Sequence, residues 1–129
     1  MEAVETLLLD REEGQPLVIP GMAYEEELLK AIPRFLNIQK SLGIAPPVFV
    51  MLSLLGVNGY IMGVSDSFSR RSRSYPIDRD DLIVPEIMLE DYDSDIPKSI
   101  RPAFDAIWNA SGWPKSLNYN GDGKWAAHK

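Results

Sequence analysis

The sequence predicts an α+β fold: an antiparallel sheet centred on a β-hairpin and packed against two or three helices. Three observations predict it. Apolar residues recur with helical spacing over Tyr24–Leu42 and again over Ser99–Ser111. Between these segments, two apolar runs rich in β-branched residues flank Asn58-Gly59, the strongest two-residue hairpin signal. A third apolar run, Leu82 to Leu89, supplies another strand. The chain has 129 residues, 45% of them hydrophobic and 25% charged, which suits one domain around one core. Residues 1–20 read as an N-terminal strand or linker, and residues 21–129 as a single α+β domain.

Each element has its own signal. Leu7-Leu8-Leu9 followed by Asp10-Arg-Glu-Glu-Gly14 reads as a strand and a polar turn. Leu17-Val-Ile19 lies between Pro16 and Pro20, which cannot donate to a ladder, so it is expected as a short edge strand. In the first helix Leu28, Ile32, Phe35 and Gln39 follow the helical period, and Leu29, Leu36 and Leu42 widen the stripe. Glu25, Glu26 and Glu27 occupy its first turn, where the helix dipole favours negative charge. Gly43 is the expected stop, and Pro33 is expected to kink the helix or split it.

Pro46-Pro47 then punctuates the chain. Val48 to Leu55 forms the outgoing strand of the hairpin and Tyr60 to Val64 the returning one. Both are nearly continuously apolar, so the pair is expected to be central and covered on both faces. Ser65 to Ser74 is a polar loop. Pro85 interrupts the strand Leu82–Leu89 and places its first half at an edge or a bulge. Asp91 to Asp95 is an acidic turn. In the second helix Ile100, Phe104, Ile107 and Trp108 share a face, with Ser99 as N-cap, Pro102 in the first turn and Gly112 at the end. Asn118 to Trp125 is turn chemistry with one aromatic anchor.

Composition narrows the chemistry. The absence of cysteine excludes disulfides, thiolate metal sites and cysteine nucleophiles. The single histidine, His128, lies one residue from the end of the chain, a poor place for a positioned base. Asp91, Asp93 and Asp95 sit in a polar turn, and the glycines around the hairpin do not form a phosphate-binding fingerprint. Asn118-x-Asn120-x-Asp122-Gly123 opens like an EF-hand loop, but its twelfth position is Lys129; Asp91-x-Asp93-x-Asp95 places Ile96 sixth and Pro102 twelfth. Both loops lack the closing ligand and read as turns. No catalytic residue, metal site or cofactor is predicted. The longest apolar stretch, Pro46 to Val57, is too short to span a bilayer, and the N-terminus is acidic where a signal peptide is basic. The expected location is the cytoplasm, with no membrane partner.

Charge is unevenly placed within a net −6. Residues 34–79 carry six bases and two acids, and the segments on either side are acidic. Long-range repulsion of phosphate makes nucleic-acid contact weak for the chain alone. The local exception is the Ser/Arg-rich loop 65–79, where Arg70, Arg71, Arg73 and Arg79 are candidates for nucleic-acid or phosphate contact. Its plain alternative is a solvated connection. Among the late aromatics, Trp108 belongs to a helix face, whereas Trp113, Tyr119 and Trp125 are candidates for an interaction platform. Their plain alternative is to pin the tail onto the sheet. A protein partner or self-association is expected.

Several stretches carry a family resemblance: Ile32-Pro-Arg-Phe-Leu36, Gly43-Ile-Ala-Pro-Pro-Val-Phe-Val-Met-Leu-Ser-Leu-Leu-Gly-Val-Asn-Gly-Tyr60, Ile77-Asp-Arg-Asp-Asp-Leu-Ile-Val-Pro-Glu86, Arg101-Pro-Ala-Phe-Asp-Ala-Ile-Trp-Asn-Ala-Ser-Gly-Trp113 and Asn118-Tyr-Asn-Gly-Asp-Gly-Lys-Trp125. Together they resemble the C-terminal part of bacterial proteins that carry a Schlafen-like, AlbA-type DNA-binding domain, often labelled ATP-binding or transcriptional regulators. The marks of that upstream domain, a Glu-containing strand and a Gly-Gly turn before an apolar strand, do not occur here. The resemblance therefore implies a non-catalytic accessory or interaction domain of a regulatory protein, and it transfers no DNA-binding or nucleotide-binding residue to this chain.

Overall fold

The structure is a computed structural model that describes residues 17–64 and 74–126. In chain order the elements are β1 (Val18–Pro20), α1 (Ala23–Ser41), β2 (Val48–Val50), β3 (Ser53–Leu55), β4 (Ile61–Gly63), β5 (Asp81–Ile83), β6 (Ile87–Leu89) and α2 (Ile96–Ala110). The α+β class and the small antiparallel sheets agree with the sequence. The expected strand at Leu7–Leu9 lies outside the described residues. β1 pairs with β4 and buries Ile19.

α2 organises the core. Its Asp95 cap accepts from the Lys98 amide at 3.3 Å, four residues earlier than the expected cap at Ser99. Asp95 takes the cap because the helix begins at Ile96, with a proline within its first two positions. Pro102 consequently falls inside the helix rather than in its first turn. Ala103, Phe104, Ile107 and Trp108 are buried, and Tyr24 of α1 meets Phe104 edge to face at 5.8 Å. α2 packs against α1 and against β6, and α1 packs against β1. α1 runs unbroken through Pro33, so the expected split does not occur; buried Ile32 and Leu36 hold the turns around the proline. Both helices end in the same way. Gly43 and Gly112 have positive φ, and the next residues return amides to the carbonyls of Gln39 and Trp108.

The expected hairpin Val48–Val64 does not form, although Val48–Leu55 does lie in an antiparallel ribbon. Strand Val48–Leu55 does not pair with Tyr60–Val64. It pairs antiparallel with 81–89, as β2 with β6 (Val48 opposite Leu89) and β3 with β5 (Ser53 opposite Ile83). The Val84 amide bonds to the Leu52 carbonyl at 3.1 Å and joins the two ladders. Two residues on one strand there face three on the other, a bulge at Pro85 where the sequence expected one. β4 instead runs parallel to β1. The Asn58-Gly59 signal fails because no non-glycine residue among the described residues has positive φ, so Asn58 is not in the left-handed state that a hairpin turn of that type requires. The Tyr60 amide folds back onto Val57, and the longer strand 81–89 offers Val48–Leu55 more pairing than Tyr60–Val64 does.

Candidate functional site

Two polar sites hold the helices, the tail and β4 together. The first centres on Glu25, in the opening turn of α1 and fully buried. Its Oε1 accepts from Trp108 Nε1 at 3.2 Å and from Ser116 Oγ at 2.6 Å. Its Oε2 accepts from Trp125 Nε1 at 3.1 Å and from Asn118 Nδ2. Asn118 also donates to the Gly21 carbonyl, and Asp105 Oδ1 accepts the Ser116 amide at 2.8 Å. One carboxylate thus ties α1, α2 and the tail. Burial raises its carboxyl above the ordinary Glu value, and the surrounding donors pull it down. Those donors are indole, amide and hydroxyl groups, and they occupy both oxygens. The arrangement anchors α1, α2 and the tail to one another.

The second site lies at the end of α2. The Ser111 hydroxyl, fully buried, accepts from the Met62 amide at 2.9 Å and donates to the Tyr75 carbonyl at 2.8 Å. Ser74 Oγ donates to the Met62 carbonyl and accepts from Trp113 Nε1 at 2.6 Å. β1 takes one edge of β4, and these serines satisfy Met62 on the other.

The aromatic candidates fall within this framework. Trp113 is buried and meets Trp108 edge to face at 5.9 Å. Tyr119 is buried, donates to the Pro97 carbonyl and lies under the Arg101 guanidinium at 4.7 Å; burial raises its hydroxyl pKa. Trp125 keeps intermediate exposure with its indole N–H on Glu25. These rings pin the tail onto the helices, not onto the sheet. The tail turns back tightly at its tip, where Asn120 Oδ1 accepts the amides of Asp122 and Lys124, each at 3.0 Å. Asp91 likewise accepts the Asp93 amide, so both acidic or amide loops spend their oxygens on turns.

The basic candidates are not brought together among the described residues. Arg70, Arg71 and Arg73, like His128, lie outside them. Arg79 is exposed and bonds to Asp78 at 3.0 Å, which holds the Asp78 carboxyl below its ordinary value. Among the described residues no group of three or more His, Asp or Glu side chains is placed to hold a metal ion, and no helix is long and apolar enough to cross a membrane.

The feature left open is the outer face of the ribbon 48–55/81–89. Val48, Leu54, Leu82, Val84 and Leu89 turn inward and are buried. The alternating positions carry Phe49, Met51, Leu55, Ile83 and Met88, each at least half exposed. Phe49 lies directly opposite Met88, and Ile83 opposite Ser53. The expectation that Val48–Leu55 is covered on both faces is therefore corrected: one face is buried, with α2 packed against β6, and among the described residues none buries the other. Sequence reading missed this face because alternation is invisible when both parities are apolar. It missed Glu25 as an anchor because its partners lie 83 to 100 residues away. Comparison with protein-family models, with curated proteins and with solved structures finds no match to this chain.

Proposed function

We propose that this chain is a non-catalytic accessory or interaction domain of a bacterial, cytoplasmic, DNA-binding or transcriptional regulatory protein, acting through the outer face of the β2–β3/β5–β6 ribbon. The parent class rests on the sequence resemblance alone. The interaction role rests on one observation, five large apolar side chains on one sheet face, with Met51 and Ile83 77% and 78% exposed. Scattered apolar residues are ordinary on a surface; a contiguous row in register is the mark of a contact surface. The polar sites at Glu25 and Ser111 support the same reading, since their groups are occupied by hydrogen bonds within the chain.

A photo-crosslinking amino acid at position 83 or 88, in cells that produce the protein, tests it. The expected result is a discrete protein adduct from those positions and none from the exposed Lys115 position. Equal yields from both faces would overturn the reading. A low-salt gel shift that disappears in an Arg70→Ala/Arg71→Ala/Arg73→Ala variant would transfer the function to nucleic acid contact by the loop.

A further inference from the structure

We infer that the outer ribbon face receives a polypeptide segment with an apolar stripe bounded by lysine or arginine. The inference rests on the interaction reading above and adds the chemistry of the partner. Phe49, Met51, Leu55, Ile83 and Met88 together expose on the order of 600 Å², the upper end for a patch on a monomer and near one partner's share of a standard interface. Among the described residues acids predominate beside this patch, and Arg79, the base nearest the β5–β6 strand in sequence, is paired with Asp78. No lysine or arginine occurs in residues 41–64 or 80–97. Exposed acids instead accompany the whole length of the β5–β6 strand: Asp80 and Asp81 at one end, Glu86 at the bulge, Glu90 and Asp91 at the other end. Asp81 stands directly opposite Leu55 in the ladder, so an acid and an exposed leucine form a cross-strand pair.

This pattern selects among occupants. A second copy would bring the same acids against themselves, which costs an interface more than it contributes. Anionic lipid and phosphate backbones are repelled in the same way. A cationic-rimmed segment matches both parts of the surface: its apolar side chains cover the five residues, and its bases meet the acids at the rim.

The test is a fluorescence-anisotropy titration of the full chain with two synthetic 15-residue amphipathic peptides, one of leucine and lysine and its twin of leucine and glutamate. The lysine peptide is expected to bind and to weaken about tenfold between 50 and 300 mM salt, the twin to bind far more weakly. Met51→Asp/Ile83→Asp is expected to weaken the lysine peptide about tenfold or more, although it adds two negative charges. Asp81→Asn/Glu86→Gln weakens it through the rim alone. Thermal midpoints of these exposed variants stay near that of the parent. Binding of the lysine peptide that survives or strengthens in Met51→Asp/Ile83→Asp is bulk charge attraction and overturns the inference, as does equal binding of the twin. A large fall in thermal midpoint would mean that the chain itself covers the face, and also overturns it. A dimer in sedimentation that Ile83→Asp dissociates overturns the partner chemistry and leaves the interaction role standing. No binding of either peptide, with a monomer before and after Ile83→Asp and no crosslink from position 83, overturns both.

Discussion

Glu25 has as its neighbours four donors that cannot accept a proton, and this sets what its replacement does. Glu25→Ala leaves the Trp108, Ser116, Asn118 and Trp125 donors without their acceptor, and is expected to cost about 3 kcal/mol or more in urea unfolding. Glu25→Gln keeps the volume but turns an amide N–H2 against one of those donors, and is expected to cost about 2 kcal/mol. The pH dependence follows from the raised carboxyl. The folded state holds the Glu25 proton more tightly than the unfolded chain, whose value is near 4.5. Its contribution to stability is therefore complete below that value and falls away as pH rises from there to the raised folded value. Unfolding free energies measured across this window should show the slope in the parent and lose it in Glu25→Gln. Tyr24 presents the opposite case beside it: its buried hydroxyl has no partner among the described residues, so Tyr24→Phe is expected to be neutral or stabilising by about 1 kcal/mol.

Among the elements, the ends of α1 and α2 carry the same closing motif in different surroundings. A Cβ at Gly112 would run into the Tyr75 ring, whereas one at Gly43 would meet nothing within 4 Å. Both positions have positive φ, so alanine at either is expected to cost about 1 kcal/mol for the backbone alone. Gly112→Ala should cost more than Gly43→Ala by the displacement of Tyr75, and the two thermal midpoints measured side by side check this. β4 depends on α2 through Ser111. Ser111→Ala orphans the Met62 amide and the Tyr75 carbonyl, with an expected loss of about 2 kcal/mol. Hydrogen exchange at the Met62 amide should accelerate more than at the β2–β6 ladder, which Ser111 does not touch.

For the molecule as a whole, charge and the apolar face act against each other. A net charge of −6 and the exposed acids beside the face disfavour contact between copies at neutral pH. Near the sequence isoelectric point of about 4.7 that repulsion is gone while the face remains. Sedimentation is expected to show a monomer at pH 7.5 and association near pH 4.7, and Ile83→Asp should suppress the association.

The amino-acid sequence by itself determined the α+β class, the span of α1, both helix-ending glycines, the strand break at Pro85 and the turn character of the tail. These rest on period, cap and turn preferences, which act over a few neighbours. Only the tertiary structure decided that Val48–Leu55 pairs with 81–89, that no described residue covers one ribbon face, and that Glu25 joins Trp108, Ser116, Asn118 and Trp125. Strand partners and buried polar contacts are chosen by competition among distant segments for the same hydrogen-bonding edges and the same core volume. No local preference carries that information: a glutamate in a helix's first turn looks alike whether it meets water or two indoles.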